Sequence, residues 1–408
     1  MKHLTKKVLL VSLFSLALAG CNKTNPNDGS KASNNGGNNS VQNSTQTSNK
    51  TPDDTPSEVK LTGSYASPAS LTYMNMRPNY NYYVTAFTFQ TLDTYSDNTY
   101  CLTVSSTSYS GLVLPQEGND ATGSERENYV IRYFGDFSSK ANELDETILD
   151  VKLSVPNRII RNQDANTFVD TADFKPYSYT GAGNNVITYE TAEDFLKAYA
   201  FKEITISVTT STASFDYQTL ENLDAGATVT ASKKGESILT SYMSTGYLTY
   251  SNMRPTYNYY MTIMNQETLD LLDDTNYRFT IYSSDFSGLG LPEEGNDATG
   301  SDRANYRLSF YGTYTKKANS LDETMTDFSL SAPKRATLTY DAAYYIDTDN
   351  WDDAAKAATK VTDGQTGEEK VYATGAEYLA TLNTQAQELS TTEETKSFDY
   401  LQFAAQLY

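Results

Sequence analysis

The chain repeats itself, and this repeat constrains the fold more than any other feature of the sequence. The segment that begins at Ser64, SYASPASLTYMNMRPNYNYY, returns at Ser241 as SYMSTGYLTYSNMRPTYNYY. The offset of 177 residues holds without a gap through most of each copy, until six extra residues in the second copy shift it to 183. A period of this length indicates two whole domains rather than a solenoid. We therefore predict tandem homologous domains over residues 61–230 (repeat 1) and 238–408 (repeat 2), each able to fold alone.

Apolar and polar residues alternate within each copy. In one such stretch the apolar positions are Leu149, Val151, Leu153 and Val155. Alternation of this kind is typical of antiparallel strands with one face turned inward. The sequence therefore predicts a mainly β fold. Each copy is expected to be an antiparallel β-meander, either closed as a barrel or folded as a sandwich.

One late helix is predicted in each copy. Thr374 and Glu377 have the spacing of a capping box, in which each side chain satisfies a free backbone amide of the first helical turn. The apolar residues that follow Thr374 fit a short helix. The equivalent helix in the first copy is expected to begin at Thr191.

One strand–turn–strand pattern resembles lipocalin-like bacterial domains. It is YRLSFYGTYTKKANSLDETMTDFSLSAP, in which Gly312-Thr-Tyr314 lies near a hairpin and an alternating strand follows. The first copy has Gly135-Asp-Phe137 at the same place. This resemblance implies a β-meander arrangement of strands and does not imply any catalytic or binding residues.

The N-terminus resembles that of a bacterial lipoprotein. Residues 1–20 have a basic start and an apolar run too short to span a bilayer comfortably, as in a signal peptide. The last part, Leu18-Ala19-Gly20-Cys21, resembles a lipobox, which implies cleavage after Gly20 and diacylglycerol on Cys21. Residues 21–60 are rich in Asn, Ser and Thr and are expected to form a disordered tether. The expected location is the extracytoplasmic face of a bacterial cell membrane, with the lipid as the membrane partner.

Composition excludes several classes of chemistry. The chain has a single histidine, His3, which lies in the predicted signal peptide. Histidine-dependent nucleophiles and zinc sites that need histidine are therefore excluded from the mature chain. With Cys21 acylated, Cys101 is the only thiol and no intrachain disulfide can form. A net charge of −20 does not favour binding to the phosphate backbone, so nucleic acid is not expected as a partner.

Two stretches are nearly unchanged between the copies. SGLxLPxEGNDATGSxRxNY agrees at 16 of 20 positions and NMRPxYNYY at eight of nine, whereas residues 86–90 and 263–267 agree at none of five. One interpretation is structural, with glycines and turn-capping side chains that close the β-structure. The other is a ligand surface for glycan, peptide or protein. Its candidate residues are Arg77, Tyr80, Tyr82, Tyr83, Glu117, Asn119, Asp120, Arg254, Tyr257, Tyr259, Tyr260, Glu294, Asn296 and Asp297.

Calcium is a further alternative at the same loop. Glu117, Asn119 and Asp120 offer oxygen ligands, although the spacing of an EF-hand is not present. No other cofactor is expected, and no other metal.

The sequence predicts a membrane-anchored cell-surface lipoprotein with a non-catalytic role in binding or in envelope structure. One alternative is a glycan hydrolase that uses two carboxylates, for which Glu117 and Asp145 form a candidate pair. Another is a carrier of a small apolar ligand inside each barrel.

Overall fold

The computed structural model describes residues 59–68, 70–77, 82–112, 125–163, 167–180, 186–221, 223, 238–244, 246–254, 259–289, 302–340, 344–362, 369–382 and 384–401. Both repeats belong to one compact unit that starts at Val59.

The described strands of repeat 1 are β1 (Leu61–Ala66), β2 (Ser70–Arg77), β3 (Tyr82–Tyr95), β4 (Thr99–Leu112), β5 (Glu125–Ala141), β6 (Ile148–Leu153), β7 (Arg158–Gln163), β8 (Thr167–Asp170), β9 (Tyr177–Thr180), β10 (Val186–Tyr189), β11 (Ile204–Thr209) and β12 (Ser214–Phe215). The helical segments of repeat 1 are a 3₁₀ turn (Thr171–Asp173) and α1 (Ala192–Tyr199).

Seven strands of repeat 1 close into a barrel in the order β1-β3-β4-β5-β6-β11-β12. All neighbours in this ring are antiparallel except β1 and β12, whose parallel pairing at Ala66 and Ser214 completes the circle. Closure leaves no free edge in the ring. Of the two predicted architectures, the barrel is therefore the one that the chain adopts.

Repeat 2 has the same ring, β13-β15-β16-β17-β18-β23-β24, closed by the parallel pair β13 and β24. Its described strands are β13 (Thr240–Ser244), β14 (Tyr247–Arg254), β15 (Tyr259–Leu271), β16 (Asn276–Leu289), β17 (Asp302–Ala318), β18 (Met325–Leu330), β19 (Arg335–Tyr340), β20 (Tyr344–Asp347), β21 (Val361–Thr362), β22 (Glu369–Lys370), β23 (Gln387–Thr392) and β24 (Ser397–Phe398). Its helices are α2 (Asp353–Ala358) and α3 (Gly375–Thr381).

Both predicted helices are present, and each begins where its threonine cap was expected. Thr191 Oγ1 accepts a hydrogen bond from the Asp194 amide at 3.2 Å, and Thr374 Oγ1 accepts one from the Glu377 amide at 3.2 Å. Helix α2 of repeat 2 was not predicted. It is capped by Asp352, which accepts from the Ala355 amide at 2.8 Å, and repeat 1 has a β-hairpin in the corresponding part of its chain.

Each repeat has its own buried core. In repeat 1 the buried apolar side chains are Leu92, Tyr100, Leu102, Val104, Tyr133, Val151, Leu153, Ile159, Val169, Phe195, Leu196, Ala200, Phe201, Ile206, Val208 and Phe215. In repeat 2 they are Tyr242, Leu269, Leu271, Tyr277, Phe279, Ile281, Leu308, Phe310, Tyr314, Phe328, Leu330, Ala336, Leu389 and Phe398. A small barrel filled by its own side chains is a packed core rather than a channel.

The glycine of the Gly-x-Tyr pattern has a packing role in both barrels. A Cβ added to Gly135 would lie 2.8 Å from the ring of Tyr100, and one added to Gly312 would lie 2.7 Å from the ring of Tyr277. Each tyrosine passes over its glycine and donates a hydrogen bond to a backbone carbonyl, that of Ser154 for Tyr100 at 2.9 Å. Glycine inside a strand allows this close approach.

The outer faces of the long strands pack against the other repeat. Phe89 contacts Tyr282, with 6.0 Å between ring centroids, and Gln266 Nε2 donates to Ser105 Oγ at 2.9 Å. Phe89 lies opposite Ser105 within repeat 1, and Gln266 lies opposite Tyr282 within repeat 2. Equivalent rungs therefore face each other, so that matching strand ends of the two repeats lie at the same end of the molecule.

Candidate functional site

The predicted ligand residues fall into two groups. The backbone of Arg77, Tyr82 and Tyr83 in repeat 1, and of Arg254, Tyr259 and Tyr260 in repeat 2, lies in described strands. The following predicted residues lie outside the described part of the chain: Cys21, Tyr80, Glu117, Asn119, Asp120, Tyr257, Glu294, Asn296 and Asp297.

The strand register brings the two nearly unchanged stretches of repeat 1 to one end of the sheet. Arg77 lies opposite Tyr82, and Tyr82 lies opposite Leu112 on its other side. The next strand, β5, begins at Glu125, opposite Ser110. Strand β4 therefore ends, and β5 begins, at the end of the sheet that carries Arg77 and Tyr82, although these stretches are far apart in sequence.

Repeat 2 has the same arrangement. Arg254 lies opposite Tyr259, and Tyr259 lies opposite Leu289. Asp302 returns opposite Ser287. In both repeats the register shifts just before the arginine, which marks a β-bulge. Bulges at strand ends commonly redirect a side chain or end the pairing. We call these two strand ends the tips, and the aligned rungs of the two barrels place both tips at the same end of the molecule.

Asp145, the partner that the sequence analysis paired with Glu117, lies at the other end of β5. It follows Ala141 in the turn that leads to β6. Seventeen strand residues separate that turn from the tip, which corresponds to roughly 50 Å of strand. Its Oδ1 accepts from the Thr147 hydroxyl at 2.6 Å and from the Thr147 amide at 2.9 Å. These two bonds, that of the hydroxyl first, lower the pKa of Asp145 and keep it an exposed carboxylate.

A cluster of buried ionic groups lies between the repeats in the described part of the chain. Arg132 of repeat 1 contacts Asp270 of repeat 2 at 3.1 Å, and both side chains are 0% exposed. Arg307 of repeat 2 contacts Asp93 of repeat 1 at 3.2 Å. Arg278 joins the two pairs, 2.9 Å from Asp270 and 3.5 Å from Asp93. We call these five side chains the inter-repeat cluster.

Hydroxyl groups complete the inter-repeat cluster symmetrically. Ser64 donates to Asp93 at 2.6 Å, and its counterpart Ser241 donates to Asp270 at 2.6 Å. Burial by itself raises the pKa of Asp93, but Arg307 and Arg278 outweigh it, so the pKa is lowered. A carboxyl group held ionised in this way cannot serve as a general acid. The cluster is suited to holding the two barrels together.

A second surface, which the sequence analysis did not identify, lies on repeat 1. The hairpin of β9 and β10 places Tyr177 beside Tyr189 and Tyr179, with ring centroids 6.4 Å and 6.1 Å apart. Arg161 on β7 lies 5.1 Å from the ring centroid of Tyr199 and donates to its hydroxyl at 3.1 Å. These partly exposed rings form a tyrosine–arginine patch.

Repeat 2 does not reproduce the tyrosine–arginine patch. Leu338 occupies the position of Arg161, and Leu382 occupies that of Tyr199. The only sequence signal for the patch was the alternation of YSYT and VITY on either side of a glycine-bearing turn. That pattern predicts a hairpin, but it does not indicate which helix or arginine the tyrosines meet.

Neither the described residues nor known proteins indicate a particular function for this chain. Among the described residues, no group of three or more His, Cys, Asp or Glu side chains could hold a metal ion. None of the described helices is long and apolar enough to cross a membrane. No protein-family model, curated protein or solved structure matches the chain.

Proposed function

We propose that this chain is a lipid-anchored surface lipoprotein of the bacterial envelope whose tips form a non-catalytic binding surface. The observation that carries the proposal is the convergence at each tip of the two stretches that differ least between the repeats. Segments far apart in sequence meet at one strand end, and they do so twice. Loops on a rigid β scaffold are where binding residues concentrate.

The chemistry of the tips fits a glycan, peptide or protein ligand. Each tip carries the backbone of an arginine and two tyrosines, and the sequence that joins its two long strands is polar and contains glycines. Tyrosine offers a large contact area with little loss of rotamer entropy, and arginine donates up to five hydrogen bonds in a fixed geometry. The tyrosine–arginine patch adds phenol groups of the same kind on repeat 1.

The two alternatives gain no support from the described residues. The interior of each barrel is occupied by side chains of the chain itself, which does not favour a carrier of an apolar ligand. The turn that holds Asp145 lies at the strand end opposite the tip, which does not favour the Glu117–Asp145 pair of a hydrolase.

An array of glycans, peptidoglycan fragments and peptides tests the binding proposal. The protein for this test lacks residues 1–58 and keeps Val59 and Lys60, because Val59 packs on the core and the Lys60 carbonyl accepts from Ser96 at 2.8 Å. The double variant Arg77→Ala with Arg254→Ala is expected to weaken binding by at least tenfold, which corresponds to about 1.4 kcal/mol. Each single variant should lose the contribution of one tip.

The matched control is Lys152→Ala, which removes a cation from the barrel surface, where its side chain is 53% exposed beside Glu203. It should bind as the unchanged protein does. The thermal midpoint of the double variant should also stay unchanged, which separates lost binding from lost folding. Absence of any ligand on the array, or equal binding by the double variant, would contradict the proposal.

Lipidation is tested separately through Cys21. In cells fed a palmitate analogue, the unchanged protein should be labelled and should remain with the membrane fraction. Cys21→Ser should lose the label and either keep its signal peptide or appear in the medium. Equal labelling of the variant would refute the proposed anchor without affecting the binding proposal.

A further inference from the structure

Glu267 is a buried carboxyl group in repeat 2 that has no charged partner among the described residues. It lies on β15 and is 0% exposed. Its Oε2 accepts from the Leu401 amide at 2.7 Å, whereas its Oε1 has no hydrogen-bond partner in the described chain. An isolated carboxylate in such a place would be strongly unfavourable, and buried groups of this kind take up a proton instead.

Repeat 1 has an amide at the equivalent position. Gln90 precedes Glu267 by 177 residues, and Gln218 precedes Leu401 by 183, so the two pairs correspond. Gln90 Oε1 accepts from the Gln218 amide at 2.8 Å, and Gln90 Nε2 donates to the Gln218 carbonyl at 2.8 Å. The Gln90 side chain thus binds both the amide and the carbonyl of Gln218, which follows β12, the last strand of the barrel.

The backbone around the two side chains is matched as well. The Gln90 amide donates to Ser67 Oγ at 2.9 Å, and the Glu267 amide donates to Ser244 Oγ at 2.9 Å. A neutral carboxyl group has one donor and one acceptor, as a primary amide does in this contact. An ionised carboxylate has acceptors only, so it can hold the Leu401 amide but not the carbonyl of the same residue.

We propose that Glu267 is a neutral carboxylic acid that holds Leu401 as Gln90 holds Gln218, and that loss of its proton releases residues 399–401 from the barrel as pH rises. In the neutral form, Oε2 accepts from the Leu401 amide and the proton on Oε1 donates to the Leu401 carbonyl. On ionisation this proton passes to solvent. The donated bond is lost, and a buried negative charge without a cation takes its place.

The described tyrosines that line the same barrel interior as Glu267 are Tyr242 on β13, Tyr277 on β16, and Tyr306 and Tyr314 on β17, and Asp399 and Tyr400 precede Leu401. None of them is a cause of the shift at Glu267. Burial raises the pKa of Glu267 well above its ordinary value of 4.5, and the only opposing effect is the bond from the Leu401 amide. Arg278 follows Tyr277 on β16, but it lies on the other face of the strand and contacts Asp270 and Asp93 in the inter-repeat cluster.

The sign of the pH dependence follows from this raised pKa. Below the unfolded pKa, both the folded and the unfolded chain carry the proton, and the contribution to stability is fully present. As pH rises above about 4.5, the unfolded chain releases its proton first and stability falls. The fall continues until pH passes the folded pKa of Glu267.

A reciprocal exchange between the repeats tests the proposal in the full chain. Glu267→Gln should remove a fall in stability that the unchanged protein shows with rising pH. Between the two pKa values, the difference should approach tenfold in the folding equilibrium constant per pH unit. Gln90→Glu should add a fall of the same sign through repeat 1. Urea unfolding at several pH values between about pH 5 and about pH 9 measures both differences.

Amide hydrogen exchange at residues 397–401 provides a local measurement. Exchange should increase with pH beyond its intrinsic rise in the unchanged protein, but not in Glu267→Gln. An infrared band of a protonated carboxyl group should be present at neutral pH in the unchanged protein and absent from Glu267→Gln, whether or not Gln90→Glu folds. Absence of the band, or parallel stability profiles of the unchanged protein and Glu267→Gln, would overturn the proposal.

Discussion

The contact between the repeats has two equivalent halves with opposite chemistry. In one half, Phe89 and Val130 of repeat 1 meet Met243 and Tyr282 of repeat 2 in a buried apolar group. In the other half, the corresponding positions are Gln266 and Arg307 of repeat 2 with Ala66 and Ser105 of repeat 1. We call them the apolar half and the polar half. A contact between identical subunits would have two identical halves.

This difference shows what fusion into one chain permits. Positions in the barrel cores keep their character: Leu92 corresponds to Leu269 and Tyr100 to Tyr277. Positions on the contact face need only complement the other repeat, and several of them have diverged. Cys101, for example, corresponds to Arg278. Within a single chain each half of the contact can therefore change independently of the other.

The inter-repeat cluster shows the same freedom. Asp93 and Asp270 are equivalent, yet the arginines that reach them are not. Arg307 corresponds to Val130, and Arg132 corresponds to Ser309. Arg132 lies two residues beyond position 130, the equivalent of Arg307, and therefore on the same face of the sheet. Position 130 belongs to the apolar half, where Val130 packs against Phe89, Met243 and Tyr282. The arginine of repeat 1 is therefore at position 132 instead.

The largest expected effect comes from breaking the inter-repeat cluster. Asp93→Ala leaves Arg307 buried beside Ser64 and Thr91 without its carboxylate. Removing one partner of a buried ion pair typically costs about 3–5 kcal/mol. We expect urea unfolding to show a loss of this size. Trp351, the only tryptophan, lies in repeat 2 and should report the loss there, although the substitution is in repeat 1.

Glu203→Ala is the control for Asp93→Ala. It breaks an exposed pair with Lys152, in which the side chains are 53% and 55% exposed, and should change stability by less than about 1 kcal/mol. The lowered pKa of Asp93 adds a pH signature: its stabilising contribution is present above the unfolded pKa and is lost as pH falls through the folded pKa. A loss in Asp93→Ala that is no larger than in the control would show that the cluster does not couple the barrels.

The sequence predicts the elements of this fold better than the contacts between them. Alternation in Leu149, Val151 and Leu153 predicts β6, and Thr374 predicts the start of α3, because both patterns are local. The same alternation misleads at Asp93 and Arg132. Charged residues that alternate with apolar core residues in a strand normally face solvent. The outer face that carries Asp93 and Arg132 is instead covered by repeat 2.

The candidate site was predicted only in part. The two nearly unchanged stretches predict one ligand surface. The register brings their strand ends together at the tips, and a binding role of these residues stays a prediction. The tyrosine–arginine patch was missed, because its contacts join β7, a separate hairpin and α1. Spacing along the chain gives no measure of such contacts. That each repeat folds alone remains a prediction, supported by the two separate cores.

Smaller effects are expected where the two halves of the contact are made alike, and the smaller of these two comes from the polar half. Phe89→Gln makes the apolar half resemble the polar half. It removes a buried ring and places an amide among Val130, Met243 and Tyr282, at a cost of about 2–4 kcal/mol.

Gln266→Leu makes the polar half less polar. It loses one bond to Ser105 but also removes an Oε1 that has no partner among the described residues, so the change should stay within about 1 kcal/mol. Urea unfolding of both variants measures the difference, and equal costs would mean that the two halves are energetically equivalent despite their chemistry.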